Sequence, residues 1–179
     1  EAECRHEGRA RAGEGGQVSA SEGGDRGTKS APMDFVTVPE TDHWATHLGI
    51  EVVEIKSRRV RMRLEADARH HQPMGILHGG VWASIVETAA SYGAGFLARE
   101  MGAVGVVGVS NQTDFLRSHS EGLLEIEATP LHAGRRQHVW EVRIQRPSDD
   151  VLVARGQVRF QVLDEMPRDR DSANAPKPA

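Results

Sequence analysis

Between Ile50 and Leu64 apolar and polar residues alternate, most plainly at Val60, Met62 and Leu64 against Arg59, Arg61 and Arg63. That is the period of a strand with one buried face. After Gly79-Gly80 the period changes. Val81, Ile85, Ala89, Tyr92 and Phe96 recur at steps of three and four, on one side of a helix that runs to about Arg99. Four β-rich runs follow: Val104 to Phe115, Leu123 to Leu131, His138 to Gln145 and Val151 to Leu163. They are parted by the turn-prone segments Ser118 to Gly122, Ala133-Gly134 and Pro147 to Asp150. Short connections favour antiparallel pairing, and one long helix has to cover some five or six strands. The predicted fold class is α+β, one long helix against a curved antiparallel sheet.

The flanks read differently. Residues 1–32 hold one branched aliphatic residue, Val18, and no aromatic, so they have almost nothing to bury and are expected to be a disordered arm. Met33 opens ordinary globular composition and reads as a natural start. From Asp164 onward, Pro167, Pro176 and Pro178 stand among charged and small residues, so 164–179 is expected to be a flexible tail. This leaves 33–163 as one folded domain, consistent with a chain of 179 residues.

Charge narrows the partners. The 22 Lys and Arg and 26 Asp and Glu, net −4, are interspersed and form no basic stripe, which argues against nucleic acid. The single cysteine, Cys4, cannot close an intramolecular disulfide. No apolar run approaches the roughly 20 residues of a membrane span, and no secretory signal precedes Met33. A cytoplasmic protein without a membrane partner is expected.

At about 100° per residue, Glu87 falls opposite the apolar stripe and shares a face with Ala83, Ala90, Ser91 and Ala94. It is the only ionisable group on that face between His78 and Arg99. Small neighbours let a ligand or another backbone come close. A glutamate in a helix is commonly just solvated, and a glycine pair is commonly just a tight turn. Together, however, they supply what acyl transfer needs: free N–H groups at a helix N-terminus to polarise a carbonyl, and a carboxylate two turns along.

The stretch His71-Gln72-Pro73-Met74-Gly75-Ile76-Leu77-His78-Gly79-Gly80-Val81, followed by Glu87-Thr88-Ala89-Ala90-Ser91, resembles the signature of hotdog-fold thioesterases of the phenylacetate-pathway (PaaI-like) type. The likeness continues through Val107 to Glu121, with Asp114-Phe115-Leu116-Arg117 in the strand after the helix, and through Ala133-Gly134-Arg135 to Glu141. The resemblance implies a hotdog fold, its central helix wrapped by the sheet. It implies hydrolysis of an acyl-CoA thioester, with an aromatic or other bulky acyl group, to free acid and coenzyme A, without cofactor or metal.

By that resemblance, Glu87 matches the catalytic carboxylate of relatives acting on hydroxybenzoyl-CoA and dihydroxynaphthoyl-CoA, and Gly79 the amide that polarises the thioester oxygen. Gln72 matches a residue beside the thioester. Ser91 matches a Ser/Thr position that orients water, and His78 is expected to orient the loop or bond the acyl carbonyl. Whether Glu87 attacks the thioester carbon or deprotonates a water stays open. A homodimer is implied as the minimal active unit, Glu87 of one chain facing Gln72 and Gly79 of its neighbour, with a homotetramer as the expected assembly.

Gly80, Trp82, Arg117, Arg135 and Arg136 are candidates for substrate binding, the arginines as partners of coenzyme A phosphates. Trp140 and Tyr92 are weaker candidates for an acyl pocket, since scarce aromatics are usually core or subunit contacts. His70, His71 and His78 superficially suggest a metal cluster, but no cysteine or carboxylate stands at a ligand spacing, so no metal is expected. The alternative function is a noncatalytic acyl-CoA-sensing hotdog module, in which Glu87 is dispensable. A hotdog dehydratase or hydratase needs an Asp and His constellation that is not found here.

Overall fold

The computed structural model describes residues 42–165; the expected arm 1–32 and all but the first two residues of the expected tail lie outside the described residues. The chain runs α1 (His43–Leu48), β1 (Ile50–Lys56), β2 (Arg59–Ala66), a single 3₁₀ turn (Ala68–His70), α2 (Gly79–Glu100), β3 (Gly105–Phe115), β4 (Gly122–Ala133), β5 (Gln137–Arg146) and β6 (Val151–Leu163). Six strands form one sheet in the order β1-β2-β4-β5-β6-β3, every neighbouring pair antiparallel. The α+β arrangement of one long helix and an antiparallel sheet is thus the observed one.

The run from Ile50 to Leu64, expected as one strand, is a hairpin of two. β1 and β2 pair from Ile50 opposite Leu64 to Lys56 opposite Arg59, around Ser57-Arg58. That turn holds no Gly, Pro, Asn or Asp and only one serine, so composition marks it weakly. In β2 the alternation is as expected: Val60, Met62, Leu64 and Ala66 are buried and the residues between them exposed. Helix α1 was not expected at all. It is a six-residue helix, opened by Asp42 accepting from the Ala45 N–H at 3.0 Å and closed by Gly49 at φ 72°.

The helix face also needs correction. Trp82, Ile85, Val86, Thr88, Ala89, Ala90, Gly93, Ala94, Leu97 and Ala98 are buried, whereas Val81, Tyr92 and Phe96 from the expected stripe are only half-buried. A one-sided stripe describes a helix lying on a sheet. This sheet instead touches α2 from every one of its strands, so the buried arc spans much of the helix circumference. Small residues permit the wrapping. At Gly93 a Cβ atom would lie 2.3 Å from the Trp140 ring, so the missing side chain is the seat in which the fully buried Trp140 rests.

His138 lies two residues before Trp140 on β5 and is also fully buried. Its ring lies against the backbone of Ala94 and Gly134, yet neither ring nitrogen has a hydrogen-bond partner in good geometry among the described residues. Burial, and secondarily the neighbouring His132, hold the imidazole below its usual pKa.

Two outcomes follow from this packing. Gly93→Ala forces a Cβ into the Trp140 ring and is expected to cost about 1–3 kcal/mol as overpacking, read as a fall in melting temperature. For His138, the folded state binds the proton more weakly than the unfolded chain, so its contribution to stability falls as pH drops below the unfolded value of about 6.5. Melting temperature is expected to decline from about pH 7 to pH 5, and less steeply in His138→Leu; parallel slopes for the two proteins would remove His138 as the cause.

Candidate active site

The loop from β2 to α2 is tied down by main-chain and histidine bonds. The Leu77 N–H donates to His119 O at 2.8 Å and the His78 N–H to His70 O at 2.9 Å. His71 Nε2 bonds Ser120 O at 2.7 Å, and His70 bridges Leu48 O and the Asp67 N–H. His70, His71 and His78 therefore serve three separate backbone anchors rather than one centre.

His78 is the N-cap of α2. Its Nδ1 accepts the Gly80 N–H at 2.9 Å, so a neutral ring carries its proton on Nε2. The glycine pair is the first turn of the helix and not a left-handed turn, since neither residue has positive φ. What matters at both positions is the absent Cβ. At Gly80 it would lie 2.9 Å from His78 Nδ1, and at Gly79 it would lie 3.1 Å from Phe115 Cε2. Gly80's N–H is committed to the cap, whereas Gly79's has no acceptor among the described residues. As an N-terminal amide of a 22-residue helix, it is an electropositive donor.

Beside it opens a cavity of about 330 Å³, lined by Gln72, Ile76, Leu77, Gly79, Trp82 and Phe115, with Leu116, Arg117, Ser118 and His119 completing the wall. Four of the expected site residues, Gln72, Gly79, Trp82 and Arg117, thus come together. Gln72 Oε1 accepts the Met74 N–H at 2.6 Å, which fixes its amide in the loop. Trp82 is 3% exposed, so it is a core residue that supplies a wall rather than a mobile contact.

Glu87 and Ser91 are elsewhere. Eight residues separate Gly79 from Glu87 along one helix, about 12 Å at 1.5 Å per residue, so the two halves of the expected site do not meet within one chain. Glu87 is half-buried against β3. Its Oε2 accepts from Asn111 Nδ2 at 2.9 Å and its Oε1 from Ser91 Oγ at 3.4 Å. Gly108 makes room for it, since a Cβ there would lie 2.7 Å from Oε1. Arg135 and Arg136 form a third group. They border an open hollow with His132, Gly134, Gln137 and Gln161 at the β4–β5 turn.

Sequence reasoning missed Asn111, Gly108 and Phe115. A glycine inside a strand pattern signals a close approach, which fits Gly108. Asn111 gives no such signal, because a bulge changes the alternation around it. Gly108 pairs with Phe160 and Ser110 with Arg159, leaving Val109 extra. As a result Gly108 and Asn111, three apart, both face the helix.

A thioesterase superfamily family model matches residues 74–153. The Mycobacterium tuberculosis protein Rv1847, named as an esterase, is 42% identical over 138 residues, 76% of this chain and 94% of that protein. Its solved structure aligns with a TM-score of 0.66 at 40% identity, over 69% of this chain and 98% of that one. The proofreading thioesterase EntH of Klebsiella pneumoniae is 40% identical over 96 residues, 54% of this chain and 69% of the relative. A 1,4-dihydroxy-2-naphthoyl-CoA hydrolase of Listeria monocytogenes is 34% identical over 106 residues, 59% of this chain and 84% of the relative.

The cap predicts a specific mutational pattern. His78→Ala is expected to lose about 1 kcal/mol of stability with the cap bond, and His78→Asn, another good N-cap, to recover most of it. Thermal melts of the two variants test this; equal losses would show that the ring does more than cap.

Proposed function

Because this chain belongs to the thioesterase superfamily, with the hotdog fold of its PaaI-like members, and is a thioester hydrolase of that family, we propose that it cleaves acyl-CoA thioesters bearing an aromatic or other bulky acyl group. The observation that carries the reading is the pairing of a free helix N-terminal amide at Gly79 with the seated carboxylate of Glu87. Support for the acyl group comes from the apolar wall of the cavity beside Gly79, made by Ile76, Leu77, Trp82, Phe115 and Leu116. The relative named as a dihydroxynaphthoyl-CoA hydrolase is consistent with an aromatic substrate.

In this reading the thioester oxygen accepts from the Gly79 N–H, which strengthens as negative charge develops there. Gln72 flanks the carbonyl. Glu87 either attacks the carbon, giving a mixed anhydride that water then opens, or takes a proton from the attacking water; either way the bond to sulfur breaks and the thiolate of coenzyme A departs. Ser91, one helical turn past Glu87, is placed beside that water. Arg135 and Arg136, with their open hollow, and Arg117 at the cavity are suited to phosphate oxygens.

The 12 Å between Gly79 and Glu87 is resolved by a second copy of the chain, Glu87 of one facing Gln72 and Gly79 of the other. β3 is suited to that pairing. It is a sheet edge with unpaired main-chain groups, and it exposes Val107, Val109 and Phe115. A homodimer is then the minimal active unit, and two dimers complete the expected homotetramer.

A panel of aliphatic, phenylacetyl, benzoyl and naphthoyl CoA thioesters, followed by thiol release, tests the proposal. Turnover is expected for the aromatic members, and Glu87→Ala is expected to lower it by about 10²- to 10⁴-fold with melting temperature unchanged. Binding without turnover would support the acyl-CoA-sensing module instead, and an unimpaired Glu87→Ala would remove the carboxylate from the mechanism.

A further inference from the structure

We propose that Asn111 is a positioning residue that holds the Glu87 carboxylate in its working orientation; the inference rests on the reading of Glu87 as the reacting group. The Asn111 amide nitrogen donates twice, to Glu87 Oε2 at 2.9 Å and to Ala83 O at 3.0 Å. Ala83 is four residues before Glu87 on the same helix, so one planar NH₂ group ties the carboxylate to the turn beneath it. The amide cannot be turned over, because its carbonyl oxygen would then face two acceptors. Thr113 Oγ1 fixes that choice from the other side by donating to Asn111 Oδ1 at 2.7 Å.

The strand is built to present this group. The residues of β3 that pair with buried residues of β6 are Gly108 with Phe160, Asn111 with Val158, Thr113 with Gly156 and Phe115 with Ala154. These four form the helix-facing row. Each contributes to the arrangement: Gly108 clears space for Oε1, Asn111 grips Oε2, Thr113 braces Asn111, and Phe115 lies over Gly79. The alternate residues Ser110, Gln112 and Asp114 pair with Arg159, Gln157 and Arg155 on the opposite side. If Val109 took a regular place in the ladder and did not bulge, Gly108 and Asn111, three residues apart, would fall on opposite faces of the strand.

The chemistry favours a neutral donor in this place. A lysine or arginine at the same distance would hold the carboxylate but draw down its nucleophilicity and basicity through full charge, whereas an amide restricts rotation with a dipole only. A glutamate has three rotatable side-chain bonds, and a displacement of about 1 Å in a reacting group is worth up to about 10²-fold in rate. Asn111 removes that freedom from one side and Ser91 from the other.

The experiment uses the full-length chain and the best substrate of the thioester panel. Asn111→Ala is expected to lower kcat by about 10- to 100-fold with KM within about twofold, and to have no further effect in a Glu87→Ala background, since it acts only through that carboxylate. Asn111→Asp keeps the shape but places a second negative charge against Oε2, so the acid limb of its pH–rate profile is expected to move to higher pH. Thr113→Val is expected to show a smaller loss in the same direction. Should Asn111→Ala fail to fold, the last two variants carry the test. An active chain in which Glu87→Ala is dead but Asn111→Ala is unimpaired would overturn the positioning role alone. So would a loss that is equally large in the Glu87→Ala background. A wild-type chain inert toward every thioester, or an unimpaired Glu87→Ala, would overturn the reading of the site and this inference with it.

Discussion

The contact on which the rest of the structure depends is the seat of Trp140 in the gap at Gly93. It joins the middle of α2 to the middle of the sheet at a distance no side chain at position 93 would allow. With the helix set at that depth, Glu87, six residues back, reaches the backbone of β3 at Gly108, and Gly79 at the helix start comes under Phe115. A helix held farther out by a single methyl group would lose close packing at all three places. The candidate site is in this sense a by-product of core packing, which explains why its residues are spread along a helix and not gathered on one loop.

Two kinds of glycine use are visible in the chain. At Gly49 and Gly75 the backbone needs positive φ. At Gly79, Gly80, Gly93 and Gly108 it does not, and what counts is a neighbour's approach: an aromatic ring, an imidazole, an indole and a carboxylate in turn. The energy involved is of the packing kind, felt at the level of one methylene. It is available only because neighbouring elements already agree on the spacing.

Much of this was legible in the sequence. The order of helix and strands, the N-terminal amide and the carboxylate two turns later all follow from periodicity and spacing, and the roles proposed for them come from the family resemblance. Three features were not legible, each for a physical reason. The β1–β2 turn at Ser57-Arg58 carries one serine, a weak turn former, and no glycine, proline, asparagine or aspartate. The helix face was misjudged because a wrapped helix buries Ala, Gly and Thr as readily as Ile, so periodicity of large residues marks only part of its buried arc. Asn111 escaped because the bulge at Val109 changes the alternation by which a strand's faces are read. Of the two tryptophans, Trp82 read as the stronger pocket candidate and Trp140 as the weaker, and in the structure the first is a cavity wall and the second wholly interior.

The donor at the start of α2 belongs to the main chain, and this changes what substitution can say about it. Every residue but proline brings an N–H to position 79, so the polarising role proposed for it would survive any ordinary replacement and a side-chain scan would be blind to it. What such a scan detects at 79 is the crowding of Phe115. Under the same proposal the carboxylate eight residues on is the reverse case, a function held in one side chain and erased by one codon. The same helix would therefore carry one half of the proposed chemistry in geometry, which drifting sequences preserve, and the other in identity, which they do not.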